Sequence, residues 1–252
     1  MKTLPHKDRG HALCSASSSS RWMNCPGSVG LCAEGPKEEG SKYAEEGTLA
    51  HEMAERWLKA WMEGGKHGVS VTNAKEEEMF NHVSSYVRHV KEKAAEFDSI
   101  PNIRLETQLV LNSDLNMWGT ADVAMTGMRG GKAHGKIIDL KYGKTKVVVK
   151  NNSQLAYYAA ALLKTSSKKL KDIEVDIFQP RISKSETSII YTNIELEEWH
   201  KKLSSACNKA MLQMIHFNER QYVIGDWCKW CSAKTICPER LRPSDDDASE
   251  FL

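Results

Sequence analysis

Two hydrophobic periods divide the chain into a helical first part and a strand-rich second part. Within residues 43–63, four apolar residues recur at every fourth position: Leu49, Met53, Trp57 and Trp61. This spacing predicts an amphipathic helix that ends at Gly64, and a second helix is predicted over residues 75–97. Over residues 103–111, apolar and polar positions alternate instead, which is typical of a half-buried strand.

The rest of the pattern predicts strands interleaved with helices. Strands are predicted at 119–126, 136–141, 145–150, 173–180 and 188–192, and helices at 153–165 and 195–218. The turn-prone stretch 127–135 separates the first two of these strands. Residues 1–15 are expected to be unstructured, and 33–42 to form a polar linker. Serines at 17–20 could cap a short helix that begins near Arg21. This order predicts an α/β fold with a mixed central sheet flanked by helices.

The size of the chain suits one large domain. It has 252 residues and a mass of 28.3 kDa, with 40% hydrophobic and 27% charged residues, which is ordinary for a globular protein. No apolar run approaches the roughly 18–20 residues that cross a bilayer. The first 20 residues lack the apolar stretch of a signal peptide. We therefore expect a cytoplasmic protein with no membrane partner.

Charge is distributed unevenly along the chain, although the formal net charge is only +2. Residues 125–172 contain eleven Lys/Arg and two acidic residues, whereas residues 33–98 contain nine and fourteen. Such asymmetry fits a protein that turns one face toward a polyanion, and ordinary solvated surface explains it equally well. Residues 244–247 are expected to form a mobile acidic tail.

The strongest candidate for chemistry is a pair of short motifs, Gly119-Thr-Ala-Asp122 and Ile137-Ile-Asp139-Leu-Lys141. Side chains two apart on a strand share a face, so Asp139 and Lys141 should emerge together. An antiparallel neighbour could place Asp122 beside them, and two carboxylates at a sheet edge suit Mg²⁺ or Mn²⁺. Asp-x-Lys is also common on exposed strands. The apolar neighbours here predict a buried strand, where charges are costly and usually have a purpose.

Four further residues could line the same site. His51 lies on the first long helix, but the zinc-protease motif His-Glu-x-x-His fails because Glu55 is the fourth residue after it. Glu106 lies on the first predicted strand, where a surface salt bridge is the alternative. Gln154 and Tyr158 are four apart and share one helix face. A structural histidine and simple helix filling are the other interpretations of these residues.

The seven cysteines fall near the two ends of the chain: Cys14, Cys25, Cys32, Cys207, Cys228, Cys231 and Cys237. In the cytosol they should be reduced. The last three form a compact triplet, which leaves a tetrahedral metal or a cubane cluster one ligand short. Cys25 is the candidate for the fourth ligand, although Cys32 could substitute for it. Cys14 and Cys207 have no partner in this scheme.

Taken in order, these motifs resemble the RecB-like branch of the PD-(D/E)xK nucleases over roughly residues 47–158. The resemblance implies a restriction-endonuclease-like core that hydrolyses phosphodiester bonds in DNA with Mg²⁺ or Mn²⁺. It also implies a set of site residues: metal ligands His51, Asp122 and Asp139 with the Leu140 carbonyl, the catalytic lysine Lys141, the branch motif Gln154 and Tyr158, and, less firmly, Glu106.

The cysteine arrangement resembles the iron–sulfur staple of AddB-type nucleases and of CRISPR-associated RecB-like exonucleases. In these proteins one N-terminal cysteine joins a C-terminal triplet. The resemblance implies a structural [4Fe–4S] cluster bound by four residues: Cys25, Cys228, Cys231 and Cys237. Zinc is the physical alternative, because four thiolates also suit Zn²⁺.

These predictions describe a DNA exonuclease, encoded by a phage or mobile element, with a nuclease core over 43–218. Residues 1–42 would supply one cluster cysteine, and residues 219–252 the other three. Its partners would be DNA ends or single strands, and a recombination or single-strand-binding protein, in end resection, recombination or repair. Two alternatives are of other classes. One is a catalytically silent nucleic-acid-binding module with the same fold, and the other is a zinc-stapled interaction protein.

Overall fold

The computed structural model describes residues 12–35, 42–66, 68–182 and 187–242. The helices are α1 Ser19–Asn24, α2 Ser28–Glu34, α3 Lys42–Met62, α4 Ala74–Ala95, α5 Ser153–Thr165, α6 Asn193–Ile215 and α7 Pro238–Leu241, with 3₁₀ turns at Phe217–Glu219 and Asp226–Trp230. The strands are β1 Asn102–Asn112, β2 Met117–Arg129, β3 Lys132–Leu140, β4 Asp172–Phe178 and β5 Ser188–Thr192. The predicted acidic tail lies outside the described residues. No described helix combines the length and apolar character needed to cross a membrane.

The five strands form one mixed sheet in the order β1-β2-β3-β4-β5. The first three make an antiparallel meander, as the sequence predicts. β4 runs parallel to β3, with Gly135 beside Ile173 and Leu140 beside Phe178. A parallel neighbour needs a crossover connection, and α5 supplies it. β5 then returns antiparallel to β4.

Helices cover both faces of this sheet because the strands carry apolar side chains on both faces. Ile137 is buried in a core with α1, α2, α5 and α6, whereas the adjacent Ile138 is buried in a second core with α3 and α4. Strand side chains alternate between faces, so neighbouring isoleucines can serve both cores. Asp139 follows on the same side as Ile137, which directs it toward α5.

Two strand predictions were wrong. The turn between β2 and β3 is only Gly130-Gly131, both with positive φ, and the strands extend through most of the predicted loop 127–135. Residues 145–150 form bends rather than a strand. Both edges of β3 are already occupied by β2 and β4, so this segment cannot pair with the strand that it follows. Its backbone instead hydrogen-bonds the side-chain amide of Gln179.

The N-terminal region is more ordered than its sequence pattern predicts. Cys14 and Ser15 are buried although residues 1–15 were expected to be unstructured. The short helix α1 exists, but the Ser18 side chain makes no cap hydrogen bond. Helix α2 was not predicted, because its seven residues are too few to display a period. Long-range packing against α5 and α6 orders this region.

The buried face of α3 also differs from the prediction. Leu49 is 56% exposed, and the buried positions are Ala50, Ala54 and Leu58. Alanines at the contact allow α3 to approach its neighbours closely, and the larger residues of the predicted stripe lie to one side. This rotation of the helix is what turns His51, next to Ala50, toward the sheet.

Candidate active site

In both β1 and β2 the regular alternation of side chains between the two faces of the sheet is interrupted once, and the two interruptions lie side by side. Leu105 and Leu109 would share a face of a regular strand, but they pack in opposite cores. β2 makes the same exchange between residues 121 and 123. Glu106 lies at the interruption in β1, with φ +44°. Asp122 lies at the same level of β2, because the residues on either side of Glu106 pair with the residues on either side of Asp122. Such strain in a non-glycine residue costs on the order of 1–3 kcal/mol and clusters at functional sites.

His51 approaches these two carboxylates from α3. Its Nδ1 lies 3.3 Å from Asp122 Oδ1 and 3.9 Å from Glu106 Oε1. One ligand atom from each of the three residues lies within 4.8 Å of the others. The two carboxylate oxygens suit Mg²⁺ or Mn²⁺, and the imidazole nitrogen favours Mn²⁺ over the harder Mg²⁺.

Asp139 and Lys141 emerge together at the end of β3, as the alternation of the strand predicts. Lys141 Nζ lies 2.8 Å from Asp139 Oδ2. Between them, the Leu140 backbone N–H donates to Asp122 Oδ2 over 2.7 Å, which fixes the carboxylate of β2 against β3. The contribution of the Leu140 carbonyl to a metal stays a prediction.

The first two turns of α5 supply two side chains that hold this group in place. Lys141 Nζ donates to Gln154 Oε1 over 3.0 Å, and Gln154 Nε2 donates to Asp139 Oδ1 over 3.3 Å. The Tyr158 hydroxyl donates to the Thr120 carbonyl over 2.7 Å. Gln154 therefore contacts both members of the Asp-x-Lys motif, and Tyr158 ties α5 to β2.

The electrostatics of the site are dominated by its carboxylates. Burial lowers the pKa of His51, but Asp122, Glu106 and Asp139 outweigh this and raise the pKa to about 9. Burial lowers the pKa of Lys141 too, and Asp139 and Asp122 raise it above its ordinary value. Burial and the neighbouring Asp122 raise the pKa of Asp139 despite its contact with Lys141. The site therefore gathers negative charge that two cations only partly compensate.

The residues fit a divalent cation. Apart from its ion pair with Lys141, Asp139 Oδ2 is buried without a hydrogen-bond partner. Lys141 balances one charge of a site that also holds Asp122 and Glu106, so a divalent cation would reduce the remaining repulsion between the carboxylates. The closest trio of ligand atoms contains Glu106 where the resemblance implies Asp139. Both carboxylates line the same cavity, so either could complete the coordination of a metal.

The cavity has a volume of about 350 Å³. One wall comes from a segment that sequence reasoning missed, with Ser15 and Ser17 facing the predicted site residues. The sequence feature that is related to this wall is the glycine at position 119. A Cβ at that position would lie 2.7 Å from Ala16 Cβ and 2.9 Å from Tyr158 Cε1. Only a glycine lets the N-terminal segment lie against β2.

Gly119→Ala should therefore destabilise the protein by about 1–3 kcal/mol through overpacking. That cost corresponds to a melting temperature lower by roughly 2–12 °C for a chain of this size. Gly143→Ala is the matched control, because a Cβ there meets nothing within 4 Å. Thermal unfolding followed by circular dichroism compares the two variants. Equal melting temperatures would contradict the close approach of the N-terminal segment.

The four predicted cluster cysteines surround one small cavity between the two ends of the chain: Cys25, Cys228, Cys231 and Cys237. The Val223 N–H points at Cys25 Sγ over 3.4 Å. Cys32, which could substitute for Cys25, lies 3.7 Å from Cys231 between the sulfurs. The structure thus brings five thiols to the same region.

Cys14 and Cys207, which have no partner in the cluster scheme, contact each other instead. The thiols of Cys14 and Cys207 hydrogen-bond each other in the core beside α5. This contact and burial raise the pKa of Cys14 far above its ordinary value. This contact lies outside the proposed cluster, and no local pattern predicts it because 193 residues of chain separate the two cysteines.

Solved structures and protein families show what this chain resembles. It matches a protein from Eubacterium rectale, provisionally named an exonuclease, with 12% identity and a TM-score of 0.52 over 100% of both chains. An alkaline exonuclease (LHK-Exo) from Laribacter hongkongensis matches at 10% identity and a TM-score of 0.33, over 79% of this chain and 94% of that one. The first likeness shows the mixed α/β fold of restriction-endonuclease-like proteins. Residues 11–249 match the family described as "Protein of unknown function (DUF2800)", and the chain belongs to that family.

Proposed function

We propose that the protein is a metal-dependent DNA exonuclease. The observation that carries this proposal is the convergence, in one cavity, of a histidine–carboxylate trio with a buried Asp-x-Lys motif. These groups come from α3, β1, β2 and β3, and α5 adds Gln154, so five separate elements converge on one point. Structural salt bridges alone do not require a strained Glu106 or an Asp139 buried beside a second carboxylate, that of Asp122.

The metal would be held by His51, Asp122, and Glu106 or Asp139. When bound, Mg²⁺ or Mn²⁺ supplies an activated water and neutralises charge on the scissile phosphate. Lys141 is cationic at neutral pH because its pKa is raised. It therefore stabilises negative charge and orients the phosphate rather than accepting a proton. The hydrogen bond to Gln154 Oε1 keeps the ammonium group of Lys141 pointed into the cavity.

The basic surface beside this site suits a nucleic acid. Lys144, Lys146 and Lys150 are exposed on the loop that joins Lys141 to α5. Lysines in such a position contact phosphates irrespective of sequence. Not every cation in the basic region contributes, because Lys136 is buried and bonded to Glu174.

Digestion of end-labelled DNA tests this function. Single- and double-stranded oligonucleotides labelled at either end should lose nucleotides stepwise with Mg²⁺ or Mn²⁺, and none with EDTA. Binding without cleavage in either metal would favour the silent nucleic-acid-binding module. The place of the activity in end resection, recombination or repair, and the phage origin, stay predictions.

We also propose that the four cysteines around the small cavity bind a structural [4Fe–4S] cluster. Four thiolates on one tetrahedral zinc, with Zn–S near 2.3 Å, lie about 3.8 Å apart. Among the described residues, no three cysteine sulfurs all lie within 4.8 Å of one another. A cubane, whose ligands attach to separate iron atoms, accepts the wider spacing. Iron analysis after anaerobic purification tests the assignment.

Metal binding should depend on pH through His51. Its pKa of about 9 means that the imidazole is protonated at neutral pH in the metal-free site. A metal bound through this nitrogen must displace the proton, so Mn²⁺ affinity should rise by up to roughly tenfold per pH unit. The rise should end near pH 9, where the imidazole becomes neutral.

Calorimetry in two buffers of different ionisation enthalpy should detect about one proton released per Mn²⁺ at neutral pH. His51→Gln should bind Mn²⁺ more weakly and without this release. Mn²⁺ binding to the parent protein without any proton release would show that His51 is not a ligand.

A further inference from the structure

The N-terminal segment presents hydroxyl groups to the active-site cavity. Ser15 and Ser17 line the cavity together with Asp122, Asp139 and Lys141. Ser15 is 7% exposed, whereas Ser17 is open to solvent. Neither serine belongs to the motifs that relate the chain to nucleases. They therefore place hydroxyl groups, which can donate hydrogen bonds, beside a cluster of carboxylates.

Hydrogen bonds to buried side chains hold this segment in place beside the site. The buried Trp22 Nε1 donates to the Ser15 carbonyl over 2.9 Å. The Tyr157 hydroxyl donates to the Cys14 carbonyl over 3.3 Å. Ser19 and Ser153 join their hydroxyls over 2.7 Å, which ties α1 to the start of α5. The hydroxyls at the cavity are therefore pre-organised, and binding through them costs little additional ordering.

The hydroxyls form a short chain with one free end. Ser15 Oγ lies 2.9 Å from Ser18 Oγ and 3.4 Å from Ser17 Oγ. Each hydroxyl has a single hydrogen to donate. The longer contact is the weaker one, and Ser17 is the exposed member. Its hydrogen can therefore be donated to a ligand in the cavity, while Ser15 supports its oxygen from behind.

Neutral donors suit this wall because the rest of the site is acidic. A DNA strand entering the cavity must bring a phosphate close to Asp122, Asp139 and Glu106. Hydroxyl groups donate to phosphate oxygens without competing for the metal, and serine is a regular phosphate contact in protein–DNA complexes. We propose that Ser17, supported by Ser15, binds a non-bridging phosphate oxygen of the strand being cut. The inference rests on the proposed nuclease function and identifies part of its substrate subsite.

Ser17→Ala tests the subsite in steady-state cleavage of a single-stranded oligonucleotide. A hydrogen bond to a charged group is lost, so KM should rise about tenfold or more. The value of kcat should stay within about twofold, since the metal ligands and Lys141 are untouched. Ser17→Thr keeps the hydroxyl and should keep the parent KM. Ser20→Ala is the matched control, because Ser20 is exposed on α1 and does not line the cavity.

The outcomes separate this inference from the nuclease function. A parent protein that neither binds nor cleaves DNA would refute the function itself. A parent that cleaves, with a Ser17→Ala variant of equal melting temperature and unchanged KM, would overturn the subsite alone. A fall in kcat without a change in KM would overturn it as well, because it would assign Ser17 to the chemical step.

Discussion

Lys141→Ala is expected to reduce DNA cleavage by roughly 10²–10³-fold, the usual cost of removing a group aimed at transition-state charge. The ammonium group lies between Asp139 and Gln154 and is held there by both. Its removal leaves a carboxylate oxygen in the cavity without its ion-pair partner. DNA binding should weaken far less, because the exposed Lys144, Lys146 and Lys150 remain in the variant. Initial rates with excess Mn²⁺ measure the loss.

The control is Lys144→Ala, which removes an equal charge from the exposed loop three residues away. Its cleavage rate should stay close to that of the parent at low salt and change mainly through affinity. Lys144→Ala should melt near the parent temperature, whereas Lys141→Ala should melt lower, because the buried Asp139 loses its ion-pair partner. Cleavage is therefore measured at a temperature where circular dichroism shows both variants to be folded. A Lys141→Ala protein that is folded and cleaves at the parent rate would refute the catalytic assignment.

Loss of the cluster should have the second large effect, on stability. Cys25 and Cys228 are about 200 residues apart in sequence, and a cross-link that closes so long a loop is worth on the order of 5 kcal/mol in chain entropy. That value is comparable to the ~5–15 kcal/mol stability of a whole domain. Cys228→Ser or Cys237→Ser should therefore give colourless protein that is prone to aggregate and melts at a lower temperature. Visible absorbance, iron content and thermal unfolding measure the three effects.

Cys32→Ser distinguishes the two candidates for the fourth ligand. If Cys25 binds the cluster, Cys32→Ser should keep its iron, although the two sulfurs of Cys32 and Cys231 are neighbours. Cys32→Ser should also melt near the parent temperature, because contacts such as the Arg220–Glu34 ion pair remain beside the intact cluster. Triplet variants that melt like the parent would contradict the staple. Stoichiometric zinc without iron would contradict the cluster type.

Local patterns predicted the parts of the site that lie on regular strands and helices. Alternation along β3 directs Asp139 and Lys141 to one side, and the helical spacing of four relates Gln154 to Tyr158. These relations need no knowledge of distant residues. The mixed sheet follows equally from the order of the elements, because the helix after β3 is the crossover to a parallel neighbour.

The missed features depend on contacts between residues far apart in sequence. The strained Glu106 follows from a face exchange that two strands make together. Ser17 reaches the cavity only because Gly119, a hundred residues later, leaves room for its segment. The pairing of Cys14 with Cys207 likewise depends on how α6 packs. The count of basic residues over 125–172 treats every lysine as exposed, but Lys136 is buried.

The central claim is that this site removes nucleotides from DNA ends. The most direct measurement compares linear and covalently closed circular single strands of one sequence, incubated with the anaerobically purified protein and Mn²⁺. The linear strand should be degraded to mononucleotides or short products while the circle stays intact. Lys141→Ala should leave both strands intact. If folded, metal-loaded parent protein degrades neither strand, or cuts the circle as fast as the linear strand, the exonuclease assignment is contradicted.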